Sequence, residues 1–315
     1  MKILITGGRG YLGGRIAEFL SYLGDHDITI GSRSVIKEND GLKSYKFAKT
    51  NWNSEQELRS VCFGMDVVLH LAGINARDCA IDPIRALEFN GVGTGKLLTA
   101  AVDSGVKRFI YFSTAHVYKR SLQGTITEKT ITSSLHPYAT SQRAGEEMVV
   151  AANARKEIEG IVIRLSNSFG VPLNKEANCW MLLVNDLCRQ LAMTGEMKLT
   201  SSGLERRDFI TISDVCRAVH HLLNLSIQPG ADNVFNVGGN WTPTVWELAC
   251  FIRKISLKIL GFEPKISRIE PLSSEKIRGL EYSIDKLLET GFVLKNDREE
   301  EIIRLIKFCQ INFSA

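Results

Sequence analysis

The chain has 315 residues, of which 44% are hydrophobic and 23% charged, a composition typical of a soluble globular protein with one large or two moderate domains. Its net charge of +4 comes from Lys and Arg scattered among Asp and Glu, so no basic block indicates nucleic acid, and no apolar run suits a signal peptide or a membrane span. Seven widely spaced cysteines without Cys-x-x-Cys pairs favour reduced thiols over a disulfide framework or a metal site, which predicts a cytoplasmic protein.

The first thirteen residues predict a phosphate site. Lys2–Ile5 is a short apolar run typical of a buried strand, Thr6 and a Gly-x-x-Gly-x-x-Gly turn follow, and helical spacing begins at the third of these glycines. The first N–H groups of such a helix and the positive end of its dipole suit an anion. A plain tight turn would use glycine as well. We predict cofactor contacts for Gly7, Gly10, Tyr11, Leu12 and Gly13.

The second strand, Asp27–Gly31, ends at Ser32-Arg33-Ser34. In a dinucleotide fold this end faces the adenosine ribose, where an acidic side chain would bind the 2′-hydroxyl. Here a hydroxyl and a guanidinium stand in its place, and Ser32 with Arg33 suits a 2′-phosphate. The sequence therefore favours NADP over NAD as the cofactor, the alternative being that Arg33 is an exposed loop residue.

Two further strands complete the predicted cofactor half. Tyr45–Lys49 leads to Asn51, a candidate adenine contact, and Asp66–Gly73 is a strongly apolar strand closing on small residues. Leu71 and Ala72 at its end are predicted to line the cofactor. His70 lies inside this strand, which favours a buried structural histidine over a catalytic base.

The rest of the chain alternates helices and strands up to residue 165 and then becomes less regular. This alternation predicts an α/β fold with a doubly wound (Rossmann) parallel sheet and a smaller C-terminal α/β substrate lobe. We predict a cofactor domain over 1–169, with 208–240 returning to it, and a substrate lobe over 170–315. The elements behind this prediction are helices over 54–62, 85–104, 137–154, 180–194 and 214–225, strands over 106–112, 160–165 and 233–237, and a mainly helical end from 244.

Together these features resemble the extended short-chain dehydrogenase/reductase superfamily, in its nucleotide-sugar epimerase/dehydratase branch. The resemblance runs from end to end and is carried by Thr6–Gly13, His70–Ala72, Asn90, Ser113-Thr114 before Val117-Tyr118, Tyr138, Arg164–Asn167, Arg207–Ile210 before Asp214-Val215, and Phe235–Gly239. It implies an N-terminal cofactor domain, a C-terminal substrate domain and an active site between them.

The resemblance also implies roles for single residues. Thr114 matches the catalytic Ser/Thr that hydrogen-bonds the substrate oxygen. Tyr138 matches the catalytic tyrosine, which exchanges a proton with that oxygen while hydride passes to or from the nicotinamide, and it also contacts the cofactor. Asn167 and Arg207 match contacts to the substrate or its diphosphate, and Arg278 is a further substrate candidate.

One position departs from the pattern, because Gln142 replaces the lysine of Tyr-x-x-x-Lys. Residues i and i+4 share a helix face, so Gln142 can still donate to the cofactor ribose, but it brings no charge to lower the tyrosine pKa from about 10. Ketone reduction needs the phenol as an acid. The rate of ketone reduction should therefore fall less, when the lysine is missing, than the rate of alcohol oxidation or of epimerisation. A 4,6-dehydratase is disfavoured, because Ala115-His116 replaces the Asp-Glu typical after its threonine.

The sequence thus predicts an NADP(H)-dependent enzyme that reduces a keto-sugar nucleotide, with Thr114, Tyr138 and Gln142 as its catalytic residues. The alternatives are a nucleotide-sugar epimerase, a reductase of another carbonyl compound, and a non-catalytic NADP(H)-binding sensor or scaffold. The resemblance also implies a homodimer through the helices near 85–104 and 138–154.

Overall fold

The computed structural model describes residues 1–33, 45–119, 121–228 and 230–313. Ser34, at which the sequence prediction ends the second strand, lies outside these ranges. In chain order the strands are β1 (Lys2–Thr6), β2 (Asp27–Ser32), β3 (Lys46–Lys49), β4 (Val67–His70), β5 (Arg108–Thr114), β6 (Gly124–Ile126), β7 (Glu159–Leu165), β8 (Asn167–Phe169), β9 (Glu196–Lys198), β10 (Phe209–Thr211), β11 (Val234–Val237), β12 (Lys265–Ser267) and β13 (Leu280–Tyr282). The α-helices are α1 (Tyr11–Leu23), α2 (Glu55–Cys62), α3 (Ala76–Ile81), α4 (Pro83–Ala86), α5 (Thr94–Asp103), α6 (Pro137–Ala154), α7 (Leu183–Thr194), α8 (Ile212–Asn224), α9 (Val245–Leu260), α10 (Asp285–Leu288) and α11 (Arg298–Phe313).

The chain divides into two compact units. The first comprises Met1–Arg120, Ile131–Leu165 and Val219–Phe235, and the second comprises Ser121–Thr130, Ser166–Ala218 and Asn236–Ala315. The expected division into a cofactor domain over 1–169 and a substrate lobe over 170–315 assigns roles to these parts, and those roles stay predictions.

The main sheet has seven strands in the order β11-β7-β5-β4-β1-β2-β3. From β1 the chain moves outward to β2 and β3 and then returns to β4 on the other side of β1, so the strand order reverses between β1 and β4. In open α/β sheets ligands bind at the carboxyl ends of the strands at such a reversal. The predicted doubly wound α/β fold is confirmed.

The central strands are buried along their whole length because helices cover both faces of a parallel sheet. Every residue of β4 and β5 is buried. A core cluster joins the sheet to α2, α5 and α6 through Leu4, Leu58, Val68, Leu97, Phe109, Val149 and Val162.

The helix predicted over 85–104 is interrupted by a change of winding. It begins at Pro83, with the Asp82 side chain accepting from the Arg85 N–H, and ends at Asp103. Between α4 and α5, however, Leu87–Gly93 winds as a π-helix, which we call the π turn. The sequence pattern did not predict this change.

The second unit contains three parallel strand pairs, β8 with β10, β9 with β12 and β6 with β13. Its core lies among α7, α9 and α11 and includes Phe169, Leu187, Leu191, Leu248, Ile252 and Leu305. The prediction of a mainly helical end from 244 was wrong for β12 and β13. Each has three residues, too few for strand alternation to show in the sequence.

Within the described ranges no helix is long and apolar enough to cross a membrane. The same ranges contain no cluster of three or more His, Cys, Asp or Glu side chains that could bind a metal ion.

Candidate active site

The glycine turn after β1 lies directly against the end of β4. Gly7 has φ +72°, and a Cβ there would lie 2.8 Å from the backbone of Leu71 and Ala72. A Cβ on Gly13 would lie 2.3 Å from the Gly7 carbonyl oxygen, so α1 can pack against the turn only without a side chain at this position. The Leu71 N–H donates to the Thr6 carbonyl at 3.2 Å and the Ala72 N–H to Thr6 Oγ1 at 3.4 Å. The structure therefore brings Gly7, Gly13, Leu71 and Ala72 together, and their contacts with a cofactor stay predictions.

The N-terminus of α1 opens from the same turn. Gly10 is its N-cap in extended conformation and offers no side chain to cap the first turn, which contains no acidic residue. In an α-helix the N–H groups of the first turn point away from the helix toward its N-terminal end. The glycine turn presents backbone without side chains beside this helix end. Together the turn and the helix N-terminus fit the pyrophosphate of a dinucleotide.

The end of β2 carries the residues predicted to read the ribose. Ser32 is buried, and its carbonyl accepts from the Thr50 N–H at 2.7 Å, whereas Arg33 is exposed. The Asn51 amide donates to Glu57 Oε1 at 2.9 Å and accepts from the Asn53 N–H at 3.1 Å. Both ends of this amide therefore serve the start of α2, and its predicted adenine contact stays a prediction.

His70 is a structural residue. It is 1% exposed; Nδ1 lies 2.7 Å from Thr6 Oγ1 and Nε2 lies 3.0 Å from Thr94 Oγ1. Thr94 donates its own proton to the Asn90 carbonyl at 2.6 Å, so it accepts from the imidazole, and the proton of neutral His70 is therefore on Nε2. Burial lowers the pKa of His70 to about 3. A ring that stays neutral and has both nitrogens engaged is no catalytic base.

Thr114 and Tyr138 meet at the carboxyl end of β5. Thr114 is buried, its Oγ1 accepts from the His116 N–H at 3.2 Å, and Tyr138 is half-buried at the start of α6. Burial raises the pKa of Tyr138 to about 12; the nearby Cys79 thiol adds to the rise, and a hydrogen bond with Thr114 opposes it. Among the described residues, no cation contributes to this shift. The phenol is consequently held in its protonated form.

Gln142 points inward from α6. Its side chain is 5% exposed, and its Oε1 accepts from the Tyr111 hydroxyl at 2.5 Å. Nε2 lies 3.4 Å from the position of a Cβ on Gly73, the residue after Ala72. Arg143 points elsewhere and donates to the Thr132 carbonyl at 2.8 Å, so it does not replace the missing lysine.

A buried amide ties the end of β4 to α6. Asn90, inside the π turn, accepts from the Ile74 N–H at 2.8 Å through Oδ1, and its Nδ2 donates to Ser141 Oγ at 3.0 Å. Its Nδ2 also lies 3.6 Å from the Cys79 sulfur. Asn90, one of the residues that carry the resemblance, thus holds the segment after Ala72 against the helix that carries Tyr138.

A buried ion pair joins β7 to α6, the helix that carries Tyr138. Arg164 on β7 donates to Glu146 on α6 at 2.8 Å and to the Tyr118 hydroxyl at 3.1 Å, and its guanidinium lies 4.9 Å from the Tyr118 ring centre. Burial lowers the pKa of Arg164, but the hydrogen bond and charge of Glu146 outweigh burial, and the net shift is upward. Sequence reasoning missed this pair and the Tyr111 contact, because each joins residues far apart in the chain.

The substrate candidates of the second unit are engaged with neighbours. Asn167 Nδ2 donates to the Asp208 carbonyl at 2.9 Å, and Arg207 pairs with Glu205 at 2.7 Å. Pairing of β8 with β10 places Asn167 opposite Phe209, two residues after Arg207. Arg278 is exposed and donates to Gln123 Oε1 at 2.7 Å. Their roles toward a substrate stay predictions.

Residues 3–238 match the profile of a family described as the NAD dependent epimerase/dehydratase family. The dTDP-D-glucose 4,6-dehydratase of Mus musculus is 26% identical over 329 aligned positions, covering 99% of this chain and 89% of the mouse protein. A UDP-glucose 4-epimerase of Streptomyces lividans is 26% identical over 279 positions, covering 81% of each protein. The solved structure of UDP-glucuronic acid 4-epimerase from Bacillus cereus in complex with UDP-glucuronic acid and NAD superposes with a TM-score of 0.81 over 99% of each chain, at 19% identity. That superposition shows a shared fold.

Proposed function

Because the chain belongs to the NAD dependent epimerase/dehydratase family, we propose that it is an oxidoreductase that uses NADP(H) to reduce the keto group of a nucleotide-linked sugar. The observation that carries this proposal is the pairing of Thr114 with a Tyr138 whose pKa is raised to about 12, beside a neutral Gln142. Such a tyrosine serves as an acid far more readily than as a base.

The substrate class is proposed from the relatives. The mouse protein is named for dTDP-D-glucose, the Streptomyces protein for UDP-glucose, and the Bacillus structure contains UDP-glucuronic acid. All three molecules are sugars on a nucleoside diphosphate. We assign the diphosphate to Arg207, whose guanidinium suits oxyanions, and the sugar or diphosphate to Asn167, with Arg278 as a further substrate contact.

In the proposed reaction the chain supplies the proton and the orientation. A nicotinamide dinucleotide bound along Gly7, Leu71 and Ala72 would supply hydride to the carbonyl carbon. Tyr138 donates its phenolic proton to the carbonyl oxygen, so that C=O becomes CH–OH, and Thr114 holds that oxygen by a hydrogen bond. Gln142 donates an N–H to the nicotinamide ribose.

The neutral site disfavours the family's other reactions in this chain. Epimerisation through a keto intermediate requires Tyr138 to act as a base in one half of each turnover, and its raised pKa opposes that half. Elimination of water requires an acid and a base besides the tyrosine. The resemblance implies Asp-Glu for these two roles; here Ala115 offers neither, and the second position is His116 instead of a carboxylate. Reduction is the reaction that uses the residues as they are.

We propose NADP(H) as the cofactor because the end of β2 carries buried Ser32 and exposed Arg33 without an acidic residue. The Bacillus relative contains NAD, so the choice rests on this chain's own residues. A guanidinium and a hydroxyl bind the 2′-phosphate by charge-assisted hydrogen bonds.

We further propose a cytoplasmic homodimer. All seven cysteines are free thiols, as expected of a reducing compartment. On the first unit, the π turn, α5 and α6 line a cavity of about 450 Å³ in which Val92 and Met148 are exposed, a surface suited to helix-on-helix packing.

The proposal is tested by incubating the purified protein with NADPH and a panel of nucleotide-linked 4-keto sugars. We expect NADPH consumption with at least one substrate and its loss in Tyr138→Phe, which keeps the ring and removes the proton. Interconversion of UDP-glucose and UDP-galactose without net cofactor consumption would instead identify an epimerase. Cofactor binding without turnover of any sugar nucleotide would identify a sensor.

A further inference from the structure

The side chain of Gln142 is held by Tyr111, a residue to which no role has been assigned. The Tyr111 hydroxyl donates to Gln142 Oε1 at 2.5 Å, and both side chains are buried, at 2% and 5% exposure. Burial raises the pKa of Tyr111 well above its ordinary value, and the charges of Tyr138 and Glu146 add to the rise. Tyr111 therefore remains a neutral O–H donor over the whole working pH range.

Packing fixes Tyr111 in this position. Its ring centre lies 5.6 Å from that of His70, which is itself held by two threonines. Its hydroxyl reaches α6 only because Gly145 has no side chain, since a Cβ there would lie 2.6 Å from Tyr111 Oη. The donor is thus anchored on β5, and the helix surface is shaped to admit it.

This hydrogen bond decides which end of the Gln142 amide faces outward. An amide has one acceptor end and one donor end, and in the structure the acceptor end faces Tyr111 and receives its proton, which favours this orientation of the amide. Nε2 is then turned toward Gly73, 3.4 Å from where its Cβ would lie. A lysine ammonium donates in every rotation, whereas a glutamine donates only when its amide is correctly turned. Replacing lysine with glutamine therefore creates a need for orientation that lysine does not have.

We propose that Tyr111 is a positioning residue that turns the Gln142 amide so that Nε2 donates to a hydroxyl of the nicotinamide ribose. This inference rests on the proposed function, because it requires a nicotinamide dinucleotide along Leu71–Gly73. It goes beyond that function by assigning a role to Tyr111, for which the resemblance implies none.

A double-mutant cycle tests the inference through binding of NADPH alone, followed by its fluorescence. Tyr111→Phe should weaken binding about three- to tenfold, the range expected for one hydrogen bond. In a Gln142→Met background, which keeps the length but removes both polar ends, the same change should leave the dissociation constant unaltered. In a Gln142→Lys background it should again have no effect, because the ammonium needs no orientation.

Tyr118→Phe is the matched control. Tyr118 is equally buried in the first unit, but it bonds Arg164 instead of Gln142. Tyr118→Phe should lower the melting temperature of the protein without weakening its binding of NADPH. Equal losses from Tyr111→Phe in the wild-type and Gln142→Met backgrounds would overturn the inference while leaving the proposed function in place. A wild-type protein that binds neither NADPH nor NADH would overturn the proposed function and this inference with it.

Discussion

Position 142 sets the proton chemistry of the candidate site. Burial raises the pKa of the Tyr138 phenol to about 12, and the neutral amide at 142 brings no positive charge that would oppose this rise. As an acid, Tyr138 is fully protonated at any pH well below 12. As a base, it is present as phenolate only in trace amounts at neutral pH.

Gln142→Lys should therefore favour oxidation over reduction. Each unit by which the ammonium lowers the Tyr138 pKa raises the phenolate fraction about tenfold, so alcohol oxidation should gain at least about tenfold while ketone reduction changes little. The measurement is kcat in both directions across the pH range. In the wild type, oxidation should keep rising with pH toward 12, and reduction should stay flat at neutral pH.

Gln142→Met is the control for this prediction, because it removes the amide donor without adding charge. It should weaken cofactor binding and leave the ratio of oxidation to reduction unchanged. An unchanged ratio in Gln142→Lys as well would show that the charge at 142 does not govern Tyr138.

Arg33 should decide between the two cofactors. Arg33→Asp replaces a binder of the 2′-phosphate with a group that repels it and accepts from a 2′-hydroxyl. We expect kcat/KM for NADPH to fall about 100-fold or more and that for NADH to be retained or to rise, since loss of a charge-assisted pair costs about 2–3 kcal/mol. Steady-state kinetics with both cofactors measure this. Lys307→Asp, an equal charge change on an exposed residue of α11, should alter neither value.

Single residues could be predicted from the sequence where a backbone constraint or a fixed spacing defines them. Gly7 and Gly13 were predicted because a turn followed at once by a helix leaves no room for a Cβ, and His70 was predicted as structural because it lies within an apolar strand. The partner of Gln142 could not be predicted. Tyr111 precedes it by 31 residues, and nothing local distinguishes this tyrosine from any other aromatic residue of a buried strand.

At the scale of elements, the ion pair of Arg164 and Glu146 joins β7 to α6, and strand pairing joins β7 to β5. The carboxylate is 3% exposed and the guanidinium 11% exposed. These elements carry Thr114 and Tyr138, so the ion pair supports the geometry of the candidate site from beneath it.

Arg164→Leu should destabilise the protein strongly. It leaves the Glu146 carboxylate buried without its partner, and losing one member of a buried pair costs about 3–5 kcal/mol. Chemical denaturation measures this difference in the free energy of unfolding. Arg304→Leu breaks an exposed pair with Glu300 and should leave the free energy of unfolding unchanged. Equal stabilities of the two variants would contradict the role given to Arg164.

Elements were predictable in proportion to their length and apolar content. β1, β4 and β5 follow from continuous apolar runs, which only a sheet covered on both faces produces. The three-residue strands β6, β8, β9, β10, β12 and β13 could not be read in this way. They are defined by their partners, which lie far away in the chain.

At the scale of the whole molecule, buried neutral imidazoles make stability depend on pH. Burial lowers the pKa of His70 from 6.5 to about 3. Between pH 6.5 and pH 3 this histidine is therefore protonated in the unfolded chain but neutral in the folded protein. The stabilisation is fully present above pH 6.5 and is lost as the pH falls toward 3. His26 acts in the same direction, because burial lowers its pKa as well.

We therefore expect the free energy of unfolding to fall on acidification from pH 6.5 to about 5, by at most about 1.4 kcal/mol per pH unit from His70. Denaturant titrations at each pH measure the slope. His70→Asn should lower stability at neutral pH but flatten the slope. If the free energy of unfolding of His70→Asn fell with pH as steeply as that of the wild type, buried His70 would not be the source of the slope.

The proposed dimer depends on the surface formed by the π turn, α5 and α6. Val92→Glu places a carboxylate on this surface, which also exposes Met148, and should convert the dimer to a monomer, because a buried unpaired charge opposes association. Light scattering after size-exclusion chromatography measures the mass. Val293→Glu, at an exposed valine of the second unit, should leave the dimer intact. A wild-type monomer at micromolar concentration would refute the proposed dimer.

The π turn links two surfaces of the first unit. A π-helical stretch accommodates an additional residue between the same end points, and one residue of an α-helix corresponds to a rotation of about 100°. Asn90 thereby points inward to Ile74 and Ser141, while Val92, two positions later, remains exposed. Removing a single residue from Leu87–Gly93 would straighten the winding and rotate one half of the helix against the other. Asn90 could then no longer point inward while Val92 stays exposed, so the length of this short stretch fixes the buried amide of the candidate site relative to the proposed dimer surface.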